Sequence, residues 1–266
     1  MKKIIFLDID GTLIDGSHGM LSMSECTKNA IREVQAAGHY VFIASGRPFA
    51  FIDQEILRFG FDGFVLMNGA VVIVNDEFIY KKALDKKFIT EAITLFEKNR
   101  IEYVLQGEKQ VYLKDEYKKL HDYFDTYGIS KEYFMNDYAV ESLDVYKLEM
   151  MCEDAKGQEL CKSFAKYNVT YLQDPTRGMK FEIYAKQETK ATGILKILDH
   201  FHLSIEDSYA FGDGLNDIEM LETVGNGIAM GNASEFVKQH ANYVVRTVQQ
   251  DGVAEGLEKY VLHKKN

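Results

Sequence analysis

Two acidic residues near the start of the chain, Asp8 and Asp10, have a spacing that suits metal binding or proton transfer. They follow the apolar run at residues 4–7, which is typical of a strand buried on both faces of a parallel sheet. Because side chains alternate along a strand, the two carboxylates are expected to point to the same side. Like charges this close are stable only when a cation lies between them or when one carboxyl keeps its proton. Gly11 then permits a sharp turn, so the strand delivers its acids to the start of a loop.

Three further segments place polar residues directly after a short apolar run. They are residues 45–47 (Ser-Gly-Arg), residues 212–217 (Gly-Asp-Gly-Leu-Asn-Asp) and residues 231–234 (Gly-Asn-Ala-Ser). In open α/β sheets the ligand site lies beyond the carboxyl ends of the strands. We therefore expect these segments and the acidic pair to meet at one crevice.

This convergence would bring together four carboxylates, those of Asp8, Asp10, Asp213 and Asp217. Such a cluster requires a cation, and oxygen ligands with room for water favour Mg²⁺. A metal ion that carboxylates hold with open coordination positions commonly meets a phosphate oxygen. The sequence therefore predicts a Mg²⁺ site that takes a phosphorylated ligand.

The first third of the chain alternates strand and helix patterns. Apolar runs at residues 4–7, 40–44 and 64–67 predict strands, and amphipathic segments at 24–38 and 48–60 predict helices. This order implies βαβ units and a parallel sheet, and the pattern resumes after Thr189.

The middle of the chain has a different pattern. A hairpin around residues 75–76 is followed by mixed helices and strands from about residue 84 to residue 187. We predict an α/β core formed by residues 1–82 and 188–266, interrupted by an inserted α+β domain at residues 83–187.

Composition limits the partners of the protein. The net charge of −10 argues against a broad nucleic-acid surface, and no apolar run has the length of a membrane span. The three cysteines form no close pair, which favours a reducing compartment, and we expect a cytoplasmic protein whose partner is a small phosphorylated metabolite. No feature of the sequence indicates an oligomeric state.

Four segments of the chain resemble the motifs of the haloacid dehalogenase superfamily. They occur in the family's order: Asp8-x-Asp10-Gly11-Thr12, Ser45-Gly46-Arg47, Lys190, and Gly-Asp-Gly-Leu-Asn-Asp-Ile-Glu-Met-Leu at residues 212–221. The position of the insert resembles the type-II (C2) cap of the Cof-type, or IIB, phosphatases. The resemblance implies a Rossmann-like parallel-sheet core with an α+β cap domain.

The resemblance also implies catalytic roles for the acids. Asp8 would attack phosphorus and become an aspartyl phosphate, and Asp10 would protonate the leaving alcohol and later take a proton from water. Mg²⁺ would be held by the carboxylates of Asp8 and Asp213 and by the backbone carbonyl of Asp10. Asp217 would support this shell from behind.

The same resemblance implies a phosphate-binding group. Ser45 and Lys190 would hold the phosphoryl oxygens, Asn216 would be a further phosphate or substrate contact, and Gly46 and Arg47 complete the predicted set. Two other lysines near the returning helix, Lys186 and Lys196, compete with Lys190 for its role.

A Mg²⁺-dependent phosphatase of small phosphomonoesters, most plausibly sugar phosphates, is the leading functional hypothesis. The alternatives are a phosphomutase of the phosphomannomutase type and a receiver-like phospho-acceptor without enzymatic activity. A dehalogenase lacks the second acid of the first motif, so Asp10 argues against that reaction.

Residues that set substrate choice cannot be derived from a pattern, and position alone makes Arg47, Asn68, Arg177 and Glu182 candidates. We interpret residues 231–233 only as the start of a helix.

Overall fold

The computed structural model describes residues 2–126, 128–174 and 178–264. The strands are β1 (Ile4–Leu7), β2 (Tyr40–Ala44), β3 (Gly63–Leu66), β4 (Val71–Val74), β5 (Glu77–Lys81), β6 (Glu102–Gln106), β7 (Val111–Tyr112), β8 (Phe134–Met135), β9 (Lys147–Met151), β10 (Val169–Gln173), β11 (Lys180–Ala185), β12 (Ser208–Gly212), β13 (Asn226–Ala229) and β14 (Tyr243–Val244). The α-helices are α1 (Glu25–Ala36), α2 (Gln54–Phe59), α3 (Lys86–Lys98), α4 (Lys118–Asp125), α5 (Asp154–Ser163), α6 (Lys190–Phe201), α7 (Ile218–Thr223), α8 (Glu235–Lys238) and α9 (Gly252–Gly256). Among the described helices, none combines the length and the apolar character that crossing a membrane requires.

The chain divides into two compact units. The first consists of Met1–Gly46, Asp53–Tyr80 and Thr189–Asn266, and the second consists of Arg47–Ile52 and Lys81–Glu188. Each unit contains its own sheet and its own apolar core.

The sheet of the first unit has the strand order β14-β13-β12-β1-β2-β3-β4-β5. Its strands are parallel from β14 to β3, and β4 then runs antiparallel to β3. Strand β1 lies near the middle, with Leu7 opposite Ile43 of β2 and Phe211 of β12. The carboxyl ends of these three strands therefore meet at one edge, as the parallel arrangement requires.

Burial on both faces explains the apolar run of β1. Ile4 and Phe6 pack into a core that also contains Ile194 and Ile197 of helix α6, and Ile5 and Leu7 on the opposite face are fully buried as well. A strand covered on both sides takes apolar residues at every position, so polar side chains begin only where the strand ends.

The second unit is built on a sheet of order β10-β11-β9-β6-β7-β8. Its described pairs are antiparallel except β7 with β8, which are parallel. One core includes Phe88 and Phe96 of α3, and a second includes Leu120 and Phe124 of α4. The segment Arg47–Ile52 also belongs to this unit, and its Phe51 joins the second core.

The predicted α/β class with a parallel core is confirmed, and most element positions agree with the sequence patterns. One helix begins later than predicted: Phe49–Phe51 form a 3₁₀ turn after Pro48, and α2 starts only at Gln54, with Asp53 as its N-cap. Ile52 is extended, with φ −79° and ψ 124°, and it is the last residue of Arg47–Ile52, so the 3₁₀ turn belongs to the second unit and α2 to the first. The predicted division into a core of residues 1–82 and 188–266 and an inserted domain of residues 83–187 stays a prediction.

Candidate functional site

Asp8 lies directly beyond the carboxyl end of β1, in the middle of the sheet. Its backbone N–H donates to the carbonyl of Phe211 at 3.0 Å, which extends the pairing with β12 by one residue. The residue is 5% exposed, so its carboxylate is almost completely removed from water. A buried carboxylate needs a charged partner or a metal ion.

Lys190 supplies that partner. It is the first residue of α6, whose N-cap Thr189 forms a capping box with Thr192, so the start of this helix is fixed in place. The Lys190 ammonium is 1% exposed and donates to Asp8 Oδ1 at 2.6 Å and to Asp217 Oδ1 at 2.5 Å. Burial opposes its charge, but the carboxylates of Asp217 and Asp8 outweigh burial and hold the pKa of Lys190 above its ordinary value.

The structure separates Lys190 from the two lysines that compete with it in the sequence. The ammonium of Lys196 lies 4.0 Å from the centre of the Tyr80 ring, and Lys186 is exposed. Of these three lysines, Lys190 is the one that makes a direct contact with Asp8.

Asp217 uses both carboxylate oxygens within the protein. Oδ1 accepts from Lys190, and Oδ2 accepts from the backbone N–H groups of Asp213 at 2.9 Å and Gly214 at 2.8 Å. A Cβ on Gly212 would lie 2.5 Å from the Asp217 carboxyl carbon, so the carboxylate packs against a glycine. This geometry suits a residue that holds the loop after β12 and orients its neighbours, and the supporting role of Asp217 stays a prediction.

Three carboxylates cluster at this point. Asp8, Asp213 and Asp217 each offer an oxygen, and the three oxygens lie within 4.8 Å of one another. Burial, followed by the charge of Asp217, raises the pKa of Asp8 well above its ordinary value and raises the pKa of Asp213 to about 7. The charge of Asp10 adds to both shifts, so Asp10 lies close to the cluster.

The donor set fits the predicted Mg²⁺. All the candidate ligand atoms are oxygens, which Mg²⁺ prefers, and a divalent cation would relieve the repulsion that raises these pKa values. Asp213 packs so closely on the loop after β1 that a Cβ on Gly11 would lie 2.1 Å from its Oδ2. Gly11 has a φ of +78°, so both the lack of space for a side chain and the backbone conformation require glycine at this position.

Asn232 also belongs to this site. Residues 231–234 are among the segments expected at the crevice, but the sequence interpretation gave Asn232 no role there. Its Nδ2 donates to the carbonyl of Gly11 at 2.8 Å and to Asp213 Oδ2 at 3.2 Å, while its Oδ1 accepts from the N–H of Val248 at 3.0 Å. The interpretation of residues 231–233 as a helix start is wrong, since α8 begins at Glu235 behind the N-cap Ser234. The signal was available, because Asn232 follows a parallel strand, as the other polar segments do.

A second set of polar groups lies beyond β2 and β3. Ser45 is 1% exposed, and its N–H donates to the carbonyl of Val65 at 2.8 Å. Asn216 Nδ2 donates to Asn68 Oδ1 at 3.1 Å, and Gly46 lies against this amide pair, since a Cβ there would be 3.0 Å from Asn68 Oδ1. The structure thus brings together Gly46, Asn68 and Asn216, and the phosphate-binding roles of Ser45, Gly46 and Asn216 stay predictions.

Three candidates lie elsewhere in the described fold or outside it. Arg47 belongs to the second unit, where its guanidinium donates to the carbonyl of Phe51 at 2.9 Å. Glu182 lies on the sheet of the second unit and forms ion pairs with Lys147 and Lys180. Arg177 lies outside the described residues. A substrate role for each of them stays a prediction.

Comparison with known proteins gives a consistent family match. The family model described as haloacid dehalogenase-like hydrolase matches residues 5–257. Two Bacillus subtilis (strain 168) proteins are similar over nearly their whole length, and both are named 5-amino-6-(5-phospho-D-ribitylamino)uracil phosphatase. YitU is 30% identical over 272 residues, covering 97% of this chain and 97% of its own. YcsE is 27% identical over 262 residues, covering 98% of this chain and 96% of its own.

A solved structure gives the same result for the fold. It is described as the HAD subclass IIB sugar phosphatase BT4131 and is 28% identical to this chain. The two superpose with a TM-score of 0.84 over 98% of this chain and 100% of the other.

Proposed function

Since the chain belongs to the haloacid dehalogenase-like hydrolase family and is a phosphatase of small phosphate esters, we propose that it is Mg²⁺-dependent and acts on phosphorylated sugars and sugar alcohols. The observation that carries the proposal is the cluster of carboxylate oxygens from Asp8, Asp213 and Asp217 around the buried ammonium of Lys190. The relatives named above support the substrate class, because they act on a ribityl phosphate and on sugar phosphates.

Asp8 is the nucleophile in this proposal. Its carboxylate attacks phosphorus, the bond from phosphorus to the alcohol oxygen breaks, and an aspartyl phosphate forms. Lys190 holds Asp8 in position through the 2.6 Å hydrogen bond to Oδ1, which leaves Oδ2 to attack phosphorus. Water then attacks phosphorus, releases inorganic phosphate and restores the Asp8 carboxylate.

Asp10 moves the protons in the proposed reaction. Its carboxyl donates a proton to the departing alkoxide, and the resulting carboxylate takes a proton from the attacking water. Asp10 is exposed and lies two residues after Asp8, so its position is compatible with proton exchange at the reacting group.

The carboxylates of Asp8 and Asp213, with the backbone carbonyl of Asp10, would hold Mg²⁺. The ion would supply positive charge that offsets the charge of the phosphoryl oxygens. Asp217 would keep the loop of Asp213 in place through the hydrogen bonds that it accepts from two backbone N–H groups.

The test is phosphate release from a panel of phosphorylated metabolites. It includes sugar phosphates, ribityl phosphates, nucleotides and p-nitrophenyl phosphate, each with Mg²⁺ and with excess chelator. We expect phosphate release from sugar or polyol phosphates only when Mg²⁺ is present. Asp8→Asn is the inactive control. Turnover confined to nucleotides would contradict the substrate class, and full activity in chelator would contradict the metal dependence. An isomeric sugar phosphate as product, without phosphate release, would indicate a phosphomutase.

A further inference from the structure

Asn68 occupies an uncommon backbone conformation directly after β3. Met67 and Asn68 have φ angles of 50° and 54°, so two consecutive non-glycine residues lie in the left-handed region. Such conformations are costly and persist where the surrounding structure requires them. Here the Asn68 N–H donates to the carbonyl of Ser45, and a Cβ on Gly69 would lie 2.1 Å from the carbonyl oxygen of Thr189. The turn is therefore held between the end of β2 and the start of α6.

The amide of Asn68 is buried and only half satisfied. The residue is 2% exposed, and its Oδ1 accepts from Asn216 Nδ2 at 3.1 Å. Its Nδ2 has no hydrogen-bond partner among the described residues. A buried amide donor without a partner is unfavourable, so its retention at a strained position points to a ligand that supplies the acceptor.

Sheet topology places the amides of Asn216 and Asn68 on either side of the two strands that Asp8 and Ser45 follow. The strand order is β12-β1-β2-β3, with Asn216 after β12 and Asn68 after β3. The hydrogen bond between the two amides therefore spans the carboxyl ends of β1 and β2, which carry Asp8 and Ser45. Gly46 leaves room for the pair, since a Cβ there would lie 3.0 Å from Asn68 Oδ1 and 3.5 Å from Asn216 Nδ2.

We propose that Asn68 is a substrate-binding residue whose Nδ2 donates a hydrogen bond to a phosphoryl oxygen of the substrate. The proposal rests on the phosphatase function proposed above. Asn216 fixes the amide by binding its oxygen, so the nitrogen is the group left for the ligand. A neutral donor suits a phosphoryl oxygen because it stabilises negative charge without adding an ion to a site that already holds Lys190.

Two variants remove the donor without straining the backbone. Asn68→Gly deletes the amide and accepts a positive φ, and Asn68→Asp keeps the size and replaces the donor with a second acceptor. Asn75→Gly is the matched control, because Asn75 is exposed, lies in the hairpin between β4 and β5 and has a φ of 48°. Circular dichroism and thermal unfolding first establish that each variant is folded.

We expect kcat/KM of Asn68→Gly to fall about 10- to 100-fold on both p-nitrophenyl phosphate and a sugar phosphate, as for the loss of one hydrogen bond to a charged oxygen. The kcat/KM of Asn68→Asp should fall further, because its carboxylate repels the phosphoryl group. The kcat/KM of Asn75→Gly should match that of the wild type. A loss restricted to the sugar phosphate would place the contact on the leaving group and overturn the proposal. Unchanged kinetics in both Asn68 variants would also overturn it.

Calorimetric binding of inorganic phosphate in the presence of Mg²⁺ separates this proposal from the proposed function. Wild-type protein that hydrolyses no phosphate ester would contradict the function, yet weaker phosphate binding by Asn68→Gly than by Asn75→Gly would still support the contact. Equal phosphate affinity in the three proteins would contradict the contact, even if the wild type is an active phosphatase.

The side-chain amide resonance of Asn68 in the ¹⁵N-labelled wild type should also shift when phosphate is added, which provides a measurement independent of any variant.

Discussion

The two units of the protein both bury charged side chains, but they balance the charges differently. In the first unit, the carboxylates of Asp8, Asp213 and Asp217 share one buried ammonium, that of Lys190. These four residues carry more negative than positive charge when all are ionised. The raised pKa values of Asp8 and Asp213 express the resulting repulsion.

In the second unit, two lysines face two glutamates on one sheet. Lys147 pairs with Glu149 at 3.2 Å and with Glu182 at 2.9 Å, and Lys180 pairs with the same two glutamates at 3.2 Å and 2.8 Å. Burial opposes the charge of Glu182, but Lys147 and Lys180 outweigh it and hold the pKa of Glu182 far below its usual range. Gln106 Nε2 adds a donor to Glu149 at 2.7 Å.

Under the proposed function, this difference separates a reactive cluster from a structural one. A balanced network satisfies its own charges, so it gains little from a cation. An unbalanced cluster stays unfavourable until a cation binds, so stability is traded for metal affinity and reactivity. The predictions below test this contrast, from the largest expected effect to the smallest.

Replacement of Asp8, the proposed nucleophile, should have the largest effect. Asp8→Asn keeps the shape of the side chain but cannot form the aspartyl phosphate, and we expect kcat to fall by about 10⁴-fold or more. Steady-state phosphate release measures the loss, and trapping of a phosphorylated protein should succeed for the wild type only. Wild-type turnover by Asp8→Asn would show that the intermediate forms elsewhere or not at all.

Mg²⁺ should control both activity and stability through the unbalanced cluster. With excess chelator we expect activity to fall about 100-fold or more, and Mg²⁺ at a hundred times its Kd should stabilise the fold by about 2.7 kcal/mol. Differential scanning calorimetry with and without Mg²⁺ measures the second effect. Asp213→Asn is the matched variant and should show no Mg²⁺-dependent rise in Tm. An equal rise in this variant would place the ion elsewhere.

Breaking the balanced network should lower stability. Glu182→Gln leaves two buried lysines with one carboxylate, and we expect a loss of about 3 kcal/mol in the free energy of unfolding. Because the folded-state pKa of Glu182 lies below the unfolded value near 4.5, its stabilising effect is complete above that pH and declines as the pH falls. Denaturant unfolding at pH 7 and at pH 3 should therefore show a smaller difference between wild type and variant at pH 3.

A surface ion pair of the same unit provides the control for this change. Glu108 pairs with Lys81, and both side chains are more than a third exposed. Glu108→Gln should cost less than about 0.5 kcal/mol, because exposed pairs contribute little. Equal losses in Glu108→Gln and Glu182→Gln would remove the contrast between buried and exposed pairs.

The smallest effect on the acidic cluster is expected at Asn232, which is proposed to orient a carboxylate rather than to meet the substrate. Asn232→Ala removes the donor to Asp213 Oδ2, and we expect about a 10-fold weaker Mg²⁺ affinity by calorimetry. Activity should recover as Mg²⁺ is raised, since the nucleophile is intact. Asn242→Ala is the control, because Asn242 accepts from the backbone of Gly227 and makes no contact with the acids among the described residues. A loss of activity that saturating Mg²⁺ cannot restore would contradict a positioning role.

The acidic pair and the strand ends were predictable from the sequence because local rules determine them. A strand buried on both faces permits polar residues only at its end, so Asp8, Ser45 and Asp213 mark the strand ends directly. Glycine at position 11 and the caps Ser24 and Thr189 follow from equally local geometry.

Tertiary structure alone decided which distant side chains meet. Asn68 pairs with Asn216 across 148 residues, Lys190 reaches Asp8 across 182, and Asn232 reaches Gly11 across 221. Phe51 packs in a core of the second unit, although the segments on either side of Arg47–Ile52 belong to the first unit. Sequence spacing does not constrain such contacts, because they depend on strand order and on the space that glycines leave between elements.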